Sequence, residues 1–212
     1  MIKLYTYCRS SSSYRVRIGL NLKGLAFESI YINLLKQEQR GDAYTAINPQ
    51  QLVPVLVDGD KTIHQSLAIL IYLDQTHPEP SLLPKDPYEQ ALIKAFSLDI
   101  SSDLHPLNNL RVQQYLSNVI GIDDGKKNDW YQHWLKIGLT SLEVQIKNRA
   151  GDFCFGDTVS LADVCLIPQI YNALRYKHPI EQYTTLTRVY NHCLSIPAFF
   201  KASPEQQKDF PF

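Results

Sequence analysis

The opening of the chain alternates, with Ile2, Leu4 and Thr6 on one side and Lys3, Tyr5 and Tyr7 on the other. A period of two predicts a strand over residues 1–8. Tyr14, Val16, Ile18, Leu20 and Leu22 also alternate, which by period alone argues for another strand. The ends of that segment argue for a helix: serines from Ser10 to Ser13 precede it and Lys23-Gly24 closes it, an N-cap run and a C-terminal glycine. The caps decide for helix. Phe27 to Leu34 reads as a second strand, and the polar stretch 36–50 as loop with one helical turn around 42–46. Val55–Val57 and Thr62–His64 flank Asp58-Gly59, a hairpin signal. Pro54 stands directly before an interior-looking strand, where it donates no ladder bond; a cis Val53-Pro54 bond accounts for it. Gln65-Ser66 then opens an apolar helix reaching Leu73, with Ser66 as its expected N-cap.

Pro78, Pro80, Pro84 and Pro87 mark a linker. Beyond it the pattern is helical only. Tyr88 to about Tyr115 is expected as one helix bending near Pro106, and Trp130 to Asn148 as another. Ser160-Leu161-Ala162-Asp163 resembles a capping box before a helix to Tyr176. Short helices are expected over 185–194 and 198–202, then a loose tail. The fold class is α/β plus all-α: a βαβ-ββα domain over 1–78, a linker over 79–87 and a helical bundle domain over 88–212.

Composition removes several function classes. Lys and Arg total 21 against 21 Asp and Glu, so the basic footprint of a nucleic-acid binder is missing. There is no run of 18 apolar residues to span a membrane and no signal-peptide pattern. Cys8, Cys154, Cys165 and Cys193 are scattered and read as reduced thiols of a cytoplasmic protein. His64, His77, His133, His178 and His192 lack metal-ligand spacing, so no metal is expected. No Ser-His-Asp signature, Walker loop or G-x-G-x-x-G is present.

What remains is the serine run. It sits with Arg9 where a strand hands over to a helix, so hydroxyls, free N–H groups and the positive helix end converge on an anion. Gln65-Ser66 marks a second strand-to-helix junction, and in an α/β unit such junctions share one sheet edge. Backbone at Val53-Pro54 could pair with an extended peptide. Together they suggest a site for a small anionic peptide. Cys8 and Ser11 also form a C-x-x-S arrangement, which leaves a thiol–disulfide reading open. Arg111, Arg175 and His105-Pro106 are equally readable as surface and structural groups.

The order of elements, the Val-Pro strand start, Gln-Ser at the next helix and Phe155-Gly156-Asp157-Thr158-Val159-Ser160-Leu161-Ala162-Asp163 resemble the glutathione transferase superfamily. Residues 9–18, 48–54 and 105–111 are more specifically similar to its zeta class, whose members isomerise maleylacetoacetate or maleylpyruvate. The resemblance covers nearly the whole chain. It implies a thioredoxin-like N-terminal domain, a homodimer, glutathione as cofactor and a small dicarboxylic keto acid as substrate. The implied reaction converts maleylacetoacetate to fumarylacetoacetate in aromatic amino acid catabolism: the thiolate adds to the conjugated double bond, the skeleton rotates and the thiolate leaves. By the same resemblance Ser10, Ser11 and Ser12 serve the thiolate, while Gln39, Val53, Pro54, Gln65, Ser66, His105, Asn109 and Arg111 line the cofactor site. Arg9, Arg111 and Arg175 would meet the substrate, and Arg175 stabilise the enolate. Two positions depart from the class: many members carry cysteine at Ser12, and the place of Cys8 is usually aromatic. A conjugating transferase, a Cys8 reductase and a non-enzymatic binding protein of the same fold are the other readings.

Overall fold

The computed structural model describes residues 1–211. They form two compact units, Met1–Leu82 with the residues from Leu194 on, and Leu83–Cys193. The expected division put everything after 88 in one helical domain. The last helix and tail instead belong with the first unit, because their carbonyls are acceptors for side chains of its first helix.

The first unit holds β1 (Ile2–Thr6), α1 (Ser11–Leu22), β2 (Phe27–Tyr31), a short α2 (Asp42–Thr45), β3 (Val55–Asp58), β4 (Lys61–His64) and α3 (Ser66–Thr76). The sheet order is β2-β1-β3-β4, with β1 parallel to β2 and the other pairs antiparallel. Ile2, Leu4, Val16, Leu20, Leu56, Ile69 and Leu73 form the core between the sheet and α1 and α3. A Cβ at Gly19 would overlap Leu70, so glycine there is what lets α1 and α3 approach.

The alternation through Tyr14–Leu22 lies within a helix. Every residue from Ser13 to Leu20 is buried, so no solvent face exists to reveal a helical period. α10 (Pro197–Ala202) covers α1 as well: Tyr14 Oη donates to Phe199 O at 3.4 Å and Asn21 Nδ2 to Ala198 O at 3.0 Å. Two arginines go down with the apolar residues. Arg17, 1% exposed, donates through Nε to Ala202 O at 2.9 Å and through Nη2 to Cys8 O at 2.9 Å. Lys23 Nζ pairs with Asp74 and with Pro80 O, both at 2.6 Å, and Asp74 also accepts from Leu82 N. That buried pair ties the start of the proline segment to α1 and α3.

The second unit contains α4 (Pro87–Leu98), a π-helical turn (Asp99–Leu104), α5 (His105–Leu107), α6 (Leu110–Tyr115), α7 (Asp124–Ile146), α8 (Leu161–Arg175) and α9 (Thr184–Leu194). The expected long helix 88–115 breaks after Pro106, at Asn108 and Asn109, where Asn109 re-caps the chain by accepting from Val112 N at 3.1 Å. α7 begins earlier than its apolar pattern suggests because Asp123 caps it through Lys126 N. The capping box is present: Ser160 N and Oγ donate to Asp163, which also accepts from Cys154 N at 2.7 Å. Among the described residues no helix is long and apolar enough to cross a membrane.

Candidate functional site

Strand register gathers the N-terminal candidates at one end of the sheet. Tyr5 lies opposite Val55 and Val55 opposite His64, while Thr6 pairs with Tyr31 at the C-terminal end of parallel β2. Four segments therefore emerge together: the turn after β1 with Arg9–Ser12, the loop after β2 with Gln39, Val53-Pro54 before β3, and Gln65-Ser66 after β4. Tyr7, Cys8, Val53 and Val55 share a packed cluster with Tyr44.

The serine junction is built by the turn before it. Ser10 N donates to Tyr7 O at 3.0 Å and closes the turn. Ser10 is the N-cap of α1, its Oγ accepting from Ser13 N at 3.2 Å. An accepting hydroxyl keeps its own proton for another acceptor. Ser11 is the first helical residue and is buried, and Ser12 is half-buried. The first-turn N–H groups of α1 add their partial positive charge here.

Val53-Pro54 is cis. The loop before it is fastened from within: Tyr44 Oη and Asn48 Nδ2 both donate to Leu52 O, at 2.6 and 2.8 Å. Gln65 Nε2 donates across to Gln50 Oε1 at 3.3 Å. Gln65, rather than Ser66, occupies the N-cap position of α3, and it does so with φ of 70°. A left-handed non-glycine residue marks a place where surroundings override backbone preference. Ser66 is instead the first helical residue, and its Oγ accepts from the buried Arg15 Nη1 at 3.3 Å. Since Arg15 can only donate, the Ser66 proton is directed elsewhere. Gln39 lies in a 3₁₀ turn, and its Oε1 is buried with no hydrogen-bond partner among the described residues.

In the second unit His105, Asn109 and Arg111 lie on and beside α5 and α6, with Arg111 exposed. Arg175 ends α8, exposed, its guanidinium 4.9 Å over the Tyr176 ring. α7 joins these two places. Trp130 Nε1 donates to Leu107 O at 2.9 Å, and Tyr131 O accepts from Asn108 Nδ2 at 3.2 Å. The Tyr131 ring stacks on Tyr176 at 3.7 Å, and its hydroxyl accepts from Asn172. Tyr131 thus braces both the 105–109 turn and the end of α8.

Several residues that shape these places carried no sequence signal. Arg15 and Arg17 read as the polar side of an alternating segment. The available hint was two cations two positions apart inside a capped apolar helix. Tyr131 stood inside a recognisable helix with nothing to separate it from other core aromatics.

Cys8 is fully buried, and its thiol donates to Asp209 O at 3.4 Å. Burial, aided by the Asp209 charge, pushes its pKa up to about 11. A redox thiol needs the opposite shift. Cys8 therefore stays protonated at pH 8, and Cys8→Ser is expected to leave glutathione-dependent turnover within about twofold while showing no mixed disulfide in the native chain by intact mass. Among the described residues no group of acidic, histidine or cysteine side chains could hold a metal.

The N-terminal-domain family of glutathione S-transferases matches residues 4–81. A probable maleylacetoacetate isomerase of Vibrio cholerae is 46% identical over 208 residues, covering 97% of each chain. The holo structure of a maleyl pyruvate isomerase, a bacterial zeta-class glutathione S-transferase, superposes with a TM-score of 0.96 at 37% identity, over 99% of this chain and 100% of that one. The maleylacetoacetate isomerase of Methylobacterium extorquens AM1, solved with malonate and GSH bound, gives a TM-score of 0.96 at 36% identity over the same shares. Similarity of this extent along the whole length, on a thioredoxin-like sheet with its helical second unit, decides the matter: the chain belongs to the zeta class of the glutathione S-transferase family.

Proposed function

We propose that the protein is a glutathione-dependent cis–trans isomerase of maleylacetoacetate. The observation that carries this is the convergence of Ser10–Ser12, Val53-Pro54, Gln65-Ser66 and Gln39 at one sheet end, in a chain 46% identical to a probable maleylacetoacetate isomerase. These residues fit glutathione. The buried, unpartnered Gln39 Oε1 is an acceptor suited to an N–H of the tripeptide. The α1 N-terminus suits its thiolate and the α3 N-terminus its γ-glutamyl carboxylate.

Glutathione, when bound, supplies the nucleophilic thiolate and is regenerated. The chain's residues do the rest. Ser10 and Ser11 donate to the sulfur and, with the α1 N-terminus, hold it ionised. Ser12 stands beside them where many relatives carry cysteine, and two serines suffice without it. Gln65 and Ser66 hold the γ-glutamyl carboxylate, the Ser66 proton being the one Arg15 turns outward. Val53 pairs its backbone with the cysteinyl part before Pro54. His105, Asn109 and Arg111 complete the cofactor side. Arg9, Arg111 and Arg175 meet the carboxylates of the keto acid, and Arg175 stabilises the enolate oxygen. Residues 1–78 are the cofactor domain, to which the segment from Leu194 on is added, 79–87 the linker, and 88–193 the substrate side. The working form is a homodimer in the cytoplasm, a compartment that suits four buried free cysteines.

Maleylpyruvate is the second reading, because the chain superposes on a maleyl pyruvate isomerase as well as on a maleylacetoacetate isomerase, each with a TM-score of 0.96. Turnover of each keto acid, followed by loss of the cis chromophore, decides between them; activity on neither rejects the isomerase. Arg175→Ala is expected to cut kcat/KM for the dicarboxylate by about 10- to 100-fold, the worth of one charge-assisted contact. Glutathione affinity should change by less than about twofold, since an interaction with only one ligand is lost. Equal losses of both would remove Arg175 from a substrate role.

A further inference from the structure

The chain end was expected as a loose tail, and it is not one. After α10 the segment turns back through Ser203 and Pro204, both buried, and Gln207 Nε2 donates to Lys201 O and Ser203 O at 3.0 and 2.9 Å. It then reaches the turn that delivers the serines. Cys8 N donates to Asp209 Oδ2 at 2.9 Å and Cys8 Sγ to Asp209 O. Phe210 packs against the cluster of Tyr7, Cys8 and Val53, and its ring lies under the Arg9 guanidinium at 5.2 Å.

The Cys8 backbone is therefore gripped on both sides. Asp209 takes its N–H, and Arg17 Nη2 donates to its C=O while Arg17 Nε holds Ala202 O. Both grips come from, or lead to, the C-terminal segment. Residues 9–11, which follow immediately, inherit the fixed direction. Arg9 is held differently. No ion pair engages it among the described residues; it rests on a ring face. A carboxylate partner would neutralise the guanidinium and compete with an incoming acid. An aromatic face orients it and leaves every N–H donor free. Immobilising an arginine side chain costs rotamer entropy, and a surface that holds it beforehand lowers that cost at binding.

We propose that Asp209 and Phe210 form a C-terminal latch, with Phe210 positioning Arg9 for a substrate carboxylate and Asp209 positioning the Cys8–Ser11 turn. The Arg9 half rests on the isomerase reading above. The turn half is independent of it.

Two measurements separate them. First, Cys8 alkylation is followed by peptide mass without any ligand. Asp209→Ala should raise its rate more than tenfold, and Asp209→Asn, which keeps an acceptor for Cys8 N, should restore it to near native. An unchanged rate in the alanine variant, or an asparagine variant as reactive as alanine, overturns the turn half. Second, KM for the keto acid is measured in Phe210→Ala, Arg9→Ala and the double variant. Phe210→Ala should raise KM about fivefold, the size of one exposed cation–π contact, with glutathione affinity unchanged. The double variant should match Arg9→Ala alone. Additive losses, or a KM unaffected by Phe210→Ala, overturn the Arg9 half. A native chain that isomerises nothing rejects the function, while the alkylation result still judges the latch. Phe210→Leu keeps the packing and removes the ring, so an ill-folded alanine variant leaves the Arg9 arm intact.

Discussion

Arg17→Met will destabilise the N-terminal unit by about 3–5 kcal/mol, because three buried backbone carbonyls and a hydroxyl lose their donor. Arg17 is buried yet stays cationic at neutral pH, its pKa drawn down by burial only to about 10. Its fork serves four acceptors: Ala202 O, Thr6 Oγ1, Tyr7 O and Cys8 O, at 2.9, 3.0, 3.3 and 2.9 Å. Methionine retains much of the volume and none of the donors, and each buried carbonyl left without a partner costs about 1–3 kcal/mol. Arg17→Lys keeps the charge but lacks the planar fork, so it should recover less than half of the loss. Denaturant midpoints read both effects. A change below about 1 kcal/mol for methionine would mean that the carbonyls find water, and that the fork matters little. Because three of the acceptors belong to residues 6–8, the same variant should weaken glutathione binding.

Ser11→Ala should raise the pKa of bound glutathione by about 1–2 pH units and lower kcat/KM near neutral pH by about 10- to 100-fold. A free thiol titrates near 8.5. Donors to the sulfur favour the anion, so removing one moves the titration upward. The sign fixes the pH profile: the variant's deficit shrinks as pH rises toward its own higher pKa. Ultraviolet thiolate absorbance of the complex reads the pKa directly. Ser10→Ala confounds two effects, because Ser10 Oγ also caps α1 through Ser13 N. Ser11 has no such capping bond and is the cleaner probe. An unchanged titration together with unchanged turnover would remove Ser11 from its proposed place.

The parts of this architecture that local chemistry writes into the chain were readable from it. Ser10 before α1, Gly24 after it, cis Val53-Pro54 and the Ser160–Asp163 box stand where capping and turn rules put them; the hairpin between β3 and β4 is also present, but its turn is Gly59-Asp60, one residue on, because Asp58 still pairs with Lys61 in the ladder. The failures have a common cause. α1 showed the wrong period because burial on several sides erases amphipathic contrast, and its arginines hid as polar positions. Ser66 looked like a cap because serine usually is one; here Gln65 takes the cap position at φ of 70° and Ser66 faces Arg15. The polar run Glu205–Asp209 looked like solvated tail, and its contact with Cys8 spans 201 positions. No local signal encodes a partner so far away. The candidate site was legible to the same extent: the residues at the strand and helix ends could be named, whereas Arg15, Arg17, Tyr131 and Asp209, which hold their surroundings in place, could not.

In the proposed isomerisation glutathione turns over as a cofactor. The direct measurement follows the purified protein with maleylacetoacetate, with glutathione supplied or withheld, and counts free thiol at the end. Conversion to the trans isomer is expected only when glutathione is present, with the thiol concentration unchanged after many turnovers. Conversion at the same rate without glutathione, or thiol consumed in step with the keto acid, would contradict it.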